Sequence, residues 1–99
     1  WDIVTVDNPK DVINGKAIEA FPDGRVIMTS NTAASPNPEL PGIWIRELSG
    51  QWSAIDSTPK VKFDRMELID LDDDGDLDVM TCEERENMGV IWYENPGNR

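Results

Sequence analysis

The sequence contains no histidine and a single cysteine, Cys82. Without histidine, neither a Ser/His/Asp nor a Cys/His nucleophile system can be assembled, and His-based zinc sites are excluded. One cysteine cannot close an internal disulfide, so cysteine usage does not report the redox compartment. Cations are scarce: 9 Lys and Arg stand against 20 Asp and Glu, for a formal net charge of −11. That balance disfavours nucleic acid and anionic membrane surfaces as partners, because both would be repelled. No apolar run approaches the roughly 20 residues that span a bilayer. The chain opens on Trp1 rather than methionine, as a processed product or an excised piece would. Its 99 residues are enough for one small domain with a modest core.

What is present reads as short strands. Apolar and polar residues alternate, and Pro, Gly, Asn and Asp punctuate the runs. The pattern predicts strands near residues 1–6, 16–21, 25–30, 42–48, 52–56, 65–70, 78–83 and 89–94. No window of helical length keeps an apolar stripe at a 3.6 period. Residues 32–41, rich in Pro, Asn, Ser and Ala, are expected to form a surface loop. Cys82, on a predicted strand, is expected to be a small core residue.

The eight predicted strands form two similar sets. Trp1-Asp2-Ile3-Val4 matches Trp52-Ser53-Ala54-Ile55, and Ala17 to Phe21 matches Arg65 to Ile69. Val26-Ile27-Met28-Thr29 matches Asp78-Val79-Met80-Thr81, and Gly42 to Gly50 matches Gly89 to Gly97. The period is about 50 residues, the size of a four-stranded unit in a radial β architecture. Two units of approximately 1–50 and 51–99 follow; a plain antiparallel sandwich is the alternative.

Residues 70–78 read Asp-Leu-Asp-Asp-Asp-Gly-Asp-Leu-Asp. Carboxylates at the first, third, fifth and ninth places, with glycine at the sixth, suit a hard cation with several oxygen ligands, and calcium is the first candidate. Asp70, Asp72, Asp74 and Asp78 supply carboxylates, the main-chain carbonyl of Asp76 supplies a further oxygen, and Gly75 permits the sharp turn. An EF-hand would need a bidentate Glu at the twelfth place and flanking helices. Thr81 stands there, between strand-like flanks. The remaining alternative is a solvated acidic turn without metal.

These residues, followed by Gly89-Val90-Ile91-Trp92-Tyr93-Glu94-Asn95, resemble an FG-GAP/VCBS-type calcium-binding β-propeller repeat. The resemblance implies an all-β fold of two four-stranded antiparallel propeller blades, permuted and needing further blades. It implies one Ca2+ site per chain, held by Asp70, Asp72, Asp74, Asp76 and Asp78, and an extracellular or cell-surface location. The first repeat departs from the pattern. Its turn, Pro22-Asp23-Gly24-Arg25, is shorter and has one carboxylate, so no metal is expected there.

The permutation suggests how the unit is completed. Trp52 opens the fourth strand of one blade, and Trp1 opens an equivalent strand with no blade before it. Residues 1–6 would complete a blade in a neighbouring copy, three or four copies making a ring; the alternative partner is the remainder of a longer chain. The function expected is non-catalytic, a scaffold or recognition surface for glycan or protein. Trp44, Trp92 and Tyr93 are candidate ligand-stacking rings, with packing between blades as the competing role. A fragment of a larger propeller enzyme such as a polysaccharide lyase, and an architectural repeat building a ring or filament, are the alternatives.

Overall fold

The computed structural model describes residues 1–12 and 14–97. Seven strands follow in order: β1 (Gly15–Ala20), β2 (Val26–Ser30), β3 (Ile43–Arg46), β4 (Trp52–Ala54), β5 (Phe63–Ile69), β6 (Asp78–Glu83) and β7 (Gly89–Tyr93). β1 to β4 form one antiparallel sheet with neighbours in chain order, and β5 to β7 form another. One 3-10 turn, Thr32–Ala34, is the only helical element among the described residues. The protein is all-β, in sheets of four and three strands.

Seven of the eight predicted strands are present. The exception is the segment 1–6, which forms no strand. Its sequence alternates, but a strand exists only when a neighbour satisfies its N–H and C=O groups, and among the described residues no strand pairs with it. Trp1, Ile3 and Val4 are fully or largely exposed instead. The second sheet therefore has three strands rather than four. The segment from Trp52 does act as a fourth strand, with Trp44 opposite Ala54 and Arg46 opposite Trp52.

Alternation assigns the faces. In the first sheet Ile27, Ile43 and Ile45 share one face, because Ile27 pairs with Ile45 and Thr29 with Ile43. In the second, Met66, Leu68, Val79, Ile91 and Tyr93 share one face. These two faces meet, and with Phe21, Ile55, Val61, Phe63 and Leu77 they make the core. Gly42 allows the approach. A Cβ there would collide with a Val61 methyl and lie 3.0 Å from two ring carbons of Phe63. The connection from β4 to β5 is pinned on both sides. Thr32 N donates to Val61 O at 3.0 Å and Lys60 N to Pro38 O at 2.7 Å.

Strand register corrects the internal alignment by one residue. Val26 pairs with Ala20 and Arg46, and Val79 with Leu68 and Tyr93. With Gly42, just before β3, aligned to Gly89, the first residue of β7, Val26 is equivalent to Val79, not to Asp78. Ile27 is then equivalent to Met80, whose side chain lies on the opposite face of its sheet from Val79. The two sheets pack front to back: the covered face of one is not equivalent to the covered face of the other. Cys82, expected in the core, shares the outward face with Met80 and is exposed.

Candidate metal centre

The loop after β5 turns back into β6, so the acidic run spans one antiparallel hairpin. Its backbone is folded by its own carboxylates. Asp70 accepts hydrogen bonds from Asp74 N through Oδ1 at 3.0 Å and from Gly75 N through Oδ2 at 2.9 Å. Asp74 Oδ1 accepts from Asp76 N at 2.9 Å. Two residues take left-handed backbone, Asp73 at φ 59° and Gly75 at φ 93°. Glycine does so freely, and aspartate is among the few other residues that tolerate it.

Asp78 closes the site from the strand. It is fully buried, and its two oxygens accept from Asn95 N at 2.8 Å and Leu71 N at 3.2 Å. Burial alone would push its carboxyl up. The bonds from Asn95 N, the Trp92 indole and Leu71 N outweigh that and hold it below the ordinary carboxylate range. Asn95 also donates its side-chain amide to Leu77 O at 3.0 Å, tying the end of β7 to the loop.

Asp70, Asp72 and Asp78 bring one oxygen each within 4.8 Å of one another. Asp72, Asp74 and Glu94 do the same. The donor set is oxygen throughout, as a hard cation requires. Asp72 shows the electrostatic consequence. Partial desolvation, then its contact with Glu94 and the charges of Asp74 and Asp78, pushes its carboxyl up to about 6. Clustered like charges favour either a proton or a cation at this point. The acidic residues can hold a metal ion.

Four of the five predicted ligands fall in these two groups. Asp76, expected to contribute its main-chain carbonyl, is not in these groups of carboxylates, and its side chain lies against Gly97. Glu94 was missed. It lies in the chain beyond β7, where the pairing of Val79 with Tyr93 carries the next residues, Asp78 and Glu94, opposite one another. Continuing the hairpin register by one residue would have found it.

The matching turn of the first sheet is built differently. Asp23 accepts from Arg25 N at 3.0 Å and Arg25 Nε at 2.8 Å, and the guanidinium lies 4.7 Å from the Phe21 ring centre. Arg25 occupies the position equivalent to Asp78. A side-chain cation thus sits where the second sheet gathers carboxylates.

Comparison with protein-family models, curated proteins and solved structures finds no match to this chain.

The three aromatic candidates do not share a surface. Trp44 is half-buried on the outward face of the first sheet, its indole donating to Pro41 O at 2.8 Å. Trp92 is exposed on the outward face of the second. Tyr93 points between the sheets and donates to Asp56 Oδ2 at 2.5 Å. Of the three, only Tyr93 lines the cleft of about 310 Å³ between the sheets. A second buried carboxylate, Glu83, holds the other end of the hairpin. It accepts from Lys62 N, Arg85 N, Glu86 N and Met88 N at 2.8–3.4 Å.

Proposed function

We propose that this chain is a calcium-binding module of β-propeller type, secreted or cell-surface, that serves as a scaffold or recognition surface for glycan or protein rather than as an enzyme. The observation that carries the metal reading is the convergence of Asp70, Asp72 and Asp78 in a loop whose backbone is already wound around Asp70. Asp74 and Glu94 extend the oxygen donors on the solvent side. Calcium accepts such sets because its coordination is flexible in number and angle. The propeller reading draws on front-to-back packing of two sheets with matched strands, which is how blades succeed one another around an axis.

The ion's role is to hold the hairpin. It would neutralise the repulsion that raises Asp72 and tie the loop to Asp78 at the base of β6. Terbium luminescence tests this, since Tb3+ substitutes for calcium and the Trp92 indole, in contact with Asp78, is an internal sensitiser. Excitation of tryptophan is expected to give terbium emission that calcium displaces. Asp72→Asn should abolish it, and Asp23→Asn, in the turn of the first sheet, should leave it unchanged. Emission that survives Asp72→Asn would place the ion elsewhere.

A further inference from the structure

We infer that copies of this chain associate head to tail: the outward face of the second sheet of one copy packs on the outward face of the first sheet of the next, whose residues 1–6 add a fourth strand to the free edge of β7. Strand register carries this inference, and the metal reading does not enter it.

Within the chain, the junction joins the Ile27, Ile43 and Ile45 face of the first sheet to the Met66, Val79 and Ile91 face of the second. The register equates the first set with Met80, Val90 and Trp92, and the second with Ile18, Val26 and Trp44. Both equivalent sets lie on the outward faces. Val90 is 71 % exposed, Ile18 66 % and Trp92 39 %. Single apolar residues on a surface are ordinary. These stand at the positions whose counterparts form the core. Each copy therefore presents, on opposite sides, the two halves of a junction that it already makes once internally. A second copy is the partner whose surface matches.

The arm supplies the rest. β3 is covered on its outer edge by β4, and no strand among the described residues covers the corresponding edge of β7. Residues 1–12 repeat the segment that contains β4 and its exit. Thr58-Pro59-Lys60-Val61 is matched by Asn8-Pro9-Lys10 and Val12, with Asp11 inserted between them. Lys60 and Asp11 both take left-handed backbone, at φ 58° and 65°, and each precedes a buried valine, Val61 and Val12. The arm is tethered away from its own β7. Trp52, on the face of the first sheet that points away from the second, donates its indole N–H to Asp7 O at 2.6 Å. Transferring the β3–β4 register gives the expected pairs between copies: Ile91 with Ile3, Trp92 with Asp2, and Tyr93 with Trp1. Such a contact is heterologous, so it propagates until rotation closes a ring.

Sedimentation of the full chain tests this with two charge variants, Val90→Lys and Ile18→Lys, both at exposed positions. The wild type is expected to sediment as more than one chain and each variant alone as a monomer. An equimolar mixture of the variants is expected to form a 1:1 pair, because each keeps the face that the other has lost. Ile3→Pro, in the exposed arm, should also abolish association while the circular dichroism of the sheets is unchanged. A monomeric wild type at the highest soluble concentration would overturn the inference. So would folded variants that fail to pair on mixing, or wild-type assembly by Ile3→Pro.

Discussion

Asp72 and Asp78 lie within 4.8 Å of one another and are driven in opposite directions. Asp78 is buried, yet three donors aimed at it keep it ionised. Asp72 is exposed but partly desolvated and faces Glu94, Asp74 and Asp78, and its carboxyl rises to about 6. A carboxyl raised on folding contributes stability that is present below its unfolded value, near 3.8, and is lost as pH rises through the folded value, about 6. The chain has no histidine to titrate in the same range. Asp56, Asp78 and Glu83 are all held below their ordinary values and stay charged there. In chelator the melting temperature is therefore expected to fall between pH 5 and pH 7. In calcium, or in Asp72→Asn, that fall is expected to disappear. Melts at the two pH values with and without metal check it, and a chelated protein that gains stability over this interval would contradict it.

At the scale of elements, the close approach of the sheets depends on Gly42, where a Cβ would enter the space of Val61 and Phe63. Gly42→Ala is expected to destabilise the fold by about 1–3 kcal/mol, the usual cost of overpacking a well-filled core. Urea denaturation at neutral pH measures it, and an unchanged midpoint would show that the sheets can separate freely. The strands themselves were legible in the sequence, because period-two alternation and turn residues are local signals. Residues 1–6 carry the same signal without the partner that would make them a strand, and partnership is not written in the segment. Cys82 was misplaced for a related reason. Alternation says that β6 has two faces but not which one another sheet will cover. The convergence of Asp70, Asp72, Asp74 and Asp78 was legible because they lie in one loop at a recognisable spacing. The approach of Glu94 was not, because it depends on where the chain beyond β7 returns beside the loop. The one-residue error in aligning β2 with β6 arose where the acidic loop lengthens the second hairpin relative to the first.

Across the whole molecule, the two sheets are unequal versions of one plan. The first closes its β1–β2 turn with an Asp23–Arg25 ion pair and is completed by β4. The second replaces the arginine position with Asp78, gathers carboxylates around it and leaves β7 open. A cation supplied by solvent would do for the second hairpin what Arg25 does for the first. Its binding would stabilise the folded state by linkage, roughly 2.7 kcal/mol when free calcium is a hundredfold above its dissociation constant. The most direct measurement is a calorimetric titration of the metal-free chain with calcium, run beside Asp78→Asn. One ion bound per chain by the wild type, with binding lost in the variant, is the expected result. The absence of any binding to a folded wild type, or equal binding by Asp78→Asn, would contradict the account.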